Sequence, residues 1–96
     1  MHGEYKMPGG KLVVMDLQVT DARIASVQLS GDFFLEPDYA IHAINAALEG
    51  RPADLDEAGL AGAVRDAMSA DVRMYGISPE AIAVAVRRAI DGAAAA

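Results

Sequence analysis

Apolar and polar side chains alternate over Lys11–Val19. Val13, Met15, Leu17 and Val19 share one parity, and the opposite parity ends in Asp16 and Gln18. That two-residue period belongs to a strand with one wet face. Thr20-Asp21-Ala22-Arg23 is a short polar break suited to a turn. The alternation then resumes, with Ala25, Val27 and Leu29 facing in and Ser26, Gln28 and Ser30 facing out. The two runs predict an antiparallel hairpin. Glu4–Met7 is a candidate third strand, cut off by Pro8-Gly9-Gly10. Two strands alone are marginal in water, so other elements must cover the apolar face.

After Gly31-Asp32-Phe33-Phe34-Leu35 the period lengthens. Ile41, Ile44 and Leu48 recur at three and four, predicting a helix that starts near Pro37 and ends at Gly50 and Pro52. A second helix is predicted from Asp54, with Glu57 in the capping-box position and Leu60, Val64 and Met68 as its stripe. Val72–Gly76 reads as a connector or a short extended piece. The third helix has Ser78 as its cap, Pro79 in its first turn, and Ile82, Val86 and Ile90 as its buried face; Gly92 can close it. Strands first and helices after predict a small two-layer α+β domain. An antiparallel hairpin or three-stranded sheet is covered on one face by three helices. One domain spans residues 1–92, and residues 93–96 form an Ala-rich tail.

Composition narrows the picture. The chain has 96 residues, enough for one modest core. Twenty of its apolar residues are Ala, which leaves the larger ones to fill that core. The net charge of −6 and the lack of a basic run argue against nucleic acid and against an anionic membrane surface. The absence of Cys removes disulfides, thiolate nucleophiles and Cys-ligated metal centres. With no signal pattern and no long apolar run, a soluble, cytoplasmic chain is expected.

No catalytic set emerges. His2 reads as a mobile terminal residue, and His42 has no metal-ligand spacing around it. Asp54, Asp56 and Glu57 cluster where a helix start accounts for them. Two stretches stand out instead. Lys6-Met7-Pro8-Gly9-Gly10-Lys11 puts flexible backbone beside positive charge, but Lys11 opens a strand, whereas a phosphate loop needs its Lys to open a helix. A kink at the start of a strand and a loop presented to a partner protein, or to its bound nucleotide, both fit. In Asp32-Phe33-Phe34, adjacent rings of an extended segment point to opposite sides. One Phe is then core, and the other is either core as well or an exposed contact point.

These two stretches, the hairpin between them and Gly76-Ile77-Ser78-Pro79-Glu80-Ala81-Ile82 resemble the small C-terminal domain of lipoate–protein ligases, which in some organisms is a separate accessory subunit. The resemblance spans residues 4–91. It implies a fold shared with iron–sulfur scaffold and sulfur-acceptor proteins, whose chemistry runs through Cys that this chain lacks. It also implies a partner, the catalytic subunit of a lipoate–protein ligase. That subunit holds lipoate, ATP and magnesium, forms lipoyl-adenylate, and passes the lipoyl group to an acceptor lysine. The small domain has no catalytic residue of its own, so Lys11 is not assigned that role. Lys6, Pro8, Gly9, Gly10, Lys11, Asp32, Phe33 and Phe34 are the candidate partner-binding residues. An orphan protein-binding or regulatory module with the same fold is the alternative, and a carboxylate-based enzyme is a weaker third.

Overall fold

The structure, a computed structural model, describes residues 1–95, with side-chain surroundings for residues 1–92. Three antiparallel strands come first: β1 (His2–Lys6), β2 (Leu12–Thr20) and β3 (Arg23–Gly31), lying in that order. β4 (Phe34–Glu36), α1 (Ala40–Leu48), α2 (Glu57–Ala67), β5 (Arg73–Tyr75) and α3 (Pro79–Ala95) follow. β4 and β5 pair antiparallel as a second, two-stranded sheet. α3 packs on β1 and β2, α1 packs on β3, and α2 touches both other helices. This is the predicted α+β architecture, enlarged by the second sheet. No helix among the described residues is long and apolar enough to cross a membrane.

The hairpin forms with one correction. Val13, Met15 and Leu17 are buried as the alternation requires, but on β3 the inward residues are Ile24, Val27 and Leu29, not Ala25. The pairing shifts between Asp16↔Gln28 and Gln18↔Ala25, so Ser26 and Val27 together oppose Leu17. Ser26 takes φ 52°, the left-handed turn of a β-bulge. One extra residue flips the parity of the strand's first half and turns the larger Ile24 into the core.

The helix starts also differ from expectation. The segment after Leu35 first completes β4, and α1 begins at Ala40 rather than near Pro37. α2 is capped by Asp56, whose carboxylate accepts from the Gly59 N–H at 2.7 Å, not by Asp54. The Ser78 hydroxyl caps α3 as predicted, accepting from the Ala81 N–H at 3.1 Å. α3 continues through Gly92 to Ala95 instead of closing there, and Ala96 of the expected tail lies outside the described residues.

Alanine proves to be core material. Ala81, Ala83, Ala85 and Ala89 are buried on α3 beside Ile82 and Val86. They let the helix approach β1 so closely that a Cβ on Gly3 would overlap the backbone of Ala85 and Ala89. The outer edge of β3 is closed. The Val27 N–H donates to Glu49 Oε1 at 3.3 Å and the Leu29 N–H to Asn45 Oδ1 at 3.2 Å. Ile24 exchanges backbone bonds with Gly50 and Arg51.

Candidate functional site

Both stretches singled out in the sequence fall at one end of the molecule. The loop between β1 and β2 is a tight turn: the Gly10 N–H donates to the Met7 carbonyl at 2.9 Å, with Pro8 and then Gly9 at φ 74° in the centre. Pro followed by a positive-φ Gly is the chemistry of a type II turn. The loop is held from beside it. The Lys11 N–H donates to the Gly76 carbonyl at 2.9 Å, and a Cβ on Gly10 would press on Met7. A Cβ on Gly76, itself at φ 77°, would meet Lys11 Cγ at 2.5 Å. Lys6, Pro8, Gly9 and Lys11 are exposed, and Gly10 is half-buried.

The second stretch joins the same end through β2. The Asp32 N–H donates to the Leu12 carbonyl at 3.2 Å, which carries the β2–β3 pairing one step past Gly31. Phe33 is half-buried against the core, while Phe34 is 55% exposed, so the two rings divide as adjacent residues of an extended segment should. β4 then pairs with β5 in the register Phe34↔Tyr75. The two rings lie 6.0 Å apart at a 48° tilt, and Tyr75 is 49% exposed. Phe34 also forms the lip of an open hollow of about 340 Å³ floored by Leu29, Phe33, Leu35 and Ile41.

Folding therefore brings Lys6, Pro8, Gly9, Gly10, Lys11, Asp32, Phe33 and Phe34 to one end and adds Met74, Tyr75 and Gly76, from the segment that reads as a connector or a short extended piece and forms β5. The signal for that third contributor was Tyr75-Gly76, an aromatic residue beside a turn glycine after a short extended run. This surface has exposed rings, two lysines and a pinned glycine loop. Such a surface offers apolar and charged contact groups side by side.

Other charged groups serve the fold. His2 is not loose: it lies in β1 between Glu4 and Asp16, each at 2.7 Å. The hydrogen bond to Glu4, then that to Asp16, holds its imidazole above the ordinary histidine value of 6.5. A larger hollow of about 500 Å³ opens at the opposite end of β2, beside Asp21–Arg23. Its two arginines already hold backbone: Arg23 donates to the Gly50 carbonyl, and Arg87 donates to those of Ala53 and Leu55. Among the described residues, no group of three His, Cys, Asp or Glu side chains is placed to hold a metal ion.

No protein-family model and no curated protein matches the chain. A solved structure does. It comes from a study of an archaeal lipoylation system, a bi-partite lipoate protein ligase and its E2 lipoyl domain from Thermoplasma acidophilum. The chain is similar to a component of that system. The TM-score is 0.70 at 27% sequence identity, over 91% of this chain and 98% of the archaeal one.

Proposed function

We propose that this chain is the accessory subunit of a two-part lipoate–protein ligase. It docks on a catalytic subunit and enables that subunit to activate lipoate with ATP, before the lipoyl group passes to an acceptor protein. The match to the Thermoplasma chain carries this reading. Coverage is nearly complete on both sides, so the two chains are of similar length, which favours likeness to a whole small component. The juxtaposition of the glycine loop with Phe34 and Tyr75 supports it further, because it supplies a contact face built on rigid strands.

On this reading lipoate, ATP and magnesium are held by the catalytic subunit. The present chain contributes position. A second body that closes a site and fixes a loop lowers the barrier by holding reactants in register, with no reactive group of its own. Phe34 and Tyr75 give apolar grip, Phe33 anchors the segment to the core, and Asp32 stays at the surface beside them. Gly9 and Gly10 admit close approach of the partner's backbone, and Lys6 and Lys11 face an acidic rim or a phosphate.

The test mixes this chain with the candidate catalytic subunit and measures lipoate-dependent ATP–pyrophosphate exchange, with each protein alone as control. Exchange is expected to rise on mixing. The Lys6→Ala, Lys11→Ala double variant should need roughly tenfold more protein for the same rise, as expected for two exposed charge contacts. A mixture no more active than the larger protein alone, together with no detectable association, removes the reading in favour of an orphan binding module.

A further inference from the structure

The two edges of the three-stranded sheet are treated differently. The β3 edge is filled by Asn45, Glu49 and the 50–51 backbone. The β1 edge is not. The Met1 amine donates to the Leu17 carbonyl at 2.8 Å, and the Leu17 N–H donates back to the Met1 carbonyl at 2.9 Å. With the register His2↔Asp16 to Lys6↔Leu12, the odd residues of β1 therefore bond to β2. The even ones, His2, Glu4 and Lys6, turn their N–H and C=O groups to the open side. One of these groups is met: Arg88 Nη1 donates to the Glu4 carbonyl at 3.0 Å. The outward N–H groups of Glu4 and Lys6 have no partner among the described residues.

Charge marks the same edge. The Glu4 carboxylate is turned onto His2. Lys6 and Arg88 form no ion pair among the described residues, although the chain carries a net charge of −6. Arg88 lies over the Tyr5 ring, 4.9 Å from its centroid, which fixes the guanidinium while leaving donors to spare. Cations at a sheet edge guard it against apolar strands and leave it open to a strand that carries carboxylates.

We propose that the open edge of β1 receives an extended, carboxylate-bearing segment of a partner protein as a fourth strand. The outward N–H groups of Glu4 and Lys6 and the Lys6 carbonyl supply the ladder, and Arg88 holds the Glu4 carbonyl. Lys6 and Arg88 supply the selectivity, each facing a carboxylate on the incoming strand. A second copy of this chain fits less well. Antiparallel self-pairing about Glu4 puts Glu4 opposite Glu4 and Lys6 opposite His2. The proposal stands without the ligase reading; Lys6 borders both surfaces, so Arg88 and the Glu4 N–H are what separate the two.

The test uses the full chain, nitrogen-15 labelled, and a blocked eight-residue peptide of paired Glu and paired Val residues, which carries carboxylates on both faces of the strand as Lys6 and Arg88 require, with the corresponding Lys–Val peptide as control. The Glu peptide should shift the β1 and Arg88 resonances and slow exchange of the Glu4 and Lys6 amides, and the Lys peptide should not. Arg88→Gln should weaken the effect several-fold. Glu4→Pro deletes an N–H that the β2 ladder does not use, and should abolish it. Arg88→Gln keeps the test alive if the proline variant unfolds. Equal response to both peptides, shifts confined to other surfaces, or no response up to millimolar peptide overturns the proposal. So does sedimentation showing a dimer that Glu4→Pro dissolves, which would make the occupant a second copy.

Discussion

At the scale of single residues, His2 shows how geometry fixes protonation. Both ring nitrogens face carboxylate oxygens at 2.7 Å, and both can donate only when the ring is charged. The folded state therefore favours the imidazolium. Its contribution to stability is fully present below pH 6.5 and is lost as the pH rises through the higher folded value. An NMR titration of the His2 ring should give a midpoint above 6.5, and Glu4→Gln should bring it down. A wild-type midpoint at or below 6.5 contradicts the clamp. The hairpin turn supplies a second case. Asp21 and Ala22 hold φ 53° and 63°, the left-handed pair that a two-residue hairpin turn demands. Ala has a steric penalty there of ~1–2 kcal/mol, and Gly has a larger entropy to lose on folding. Ala22→Gly is expected to stabilise the protein by about 1 kcal/mol or somewhat less. A urea midpoint moved downward would refute this.

Elements were legible where side-chain period carried the information. The β2 alternation, the α3 stripe and the Ser78 cap all read directly from the chain. The bulge did not, because a fixed period of two cannot describe a strand that changes parity at Ser26, although the apolar spacing 24, 27, 29 contains the shift. β4 escaped because three residues are too few to show a period, and its pairing with β5, the short extended alternative for Val72–Gly76, joins segments far apart in sequence. The closeness of α3 to β1 was hidden for another reason: Ala and Gly look featureless until two backbones meet across them. Two glycine substitutions separate that closeness from intrinsic propensity. Gly3→Ala drives a methyl into the α3 backbone and should cost about 3 kcal/mol by overpacking. Gly62→Ala, inside α2 with open space around it, should gain up to ~1 kcal/mol from helix propensity. Denaturant melts should move in opposite directions; a Gly3→Ala midpoint that does not fall would show that α3 gives way more easily than its packing indicates, and a Gly62→Ala midpoint that falls would refute the propensity gain.

For the molecule as a whole, the sequence supplied two of the three parts of the candidate face and missed the third. Lys6–Lys11 and Asp32–Phe34 were visible as local oddities, whereas their meeting with Met74–Gly76 is a product of tertiary pairing. The face has an energetic signature that distinguishes contact from support. Phe34 and Tyr75 are each about half exposed, and their ring contact is worth on the order of 1 kcal/mol to the fold. An aromatic anchor at a docking centre costs at least ~2 kcal/mol on truncation, which is roughly thirtyfold in affinity. The Phe34→Ser, Tyr75→Ser double variant should therefore melt within a few degrees of wild type, yet require at least about thirtyfold more protein to stimulate a catalytic subunit. Leu35→Ala provides the opposite pattern. Leu35 is 7% exposed, follows Phe34 on β4 opposite Met74 and belongs to the core, so its truncation should lower stability by ~2–5 kcal/mol. Under conditions where that variant remains folded, its docking should be close to normal. If the double variant docks normally, the exposed rings are surface aromatics with no role in contact. The docking face must then be sought elsewhere, with the outer surface of β1 and β2 next in line because Leu12 and Val14 lie half-buried there among polar neighbours.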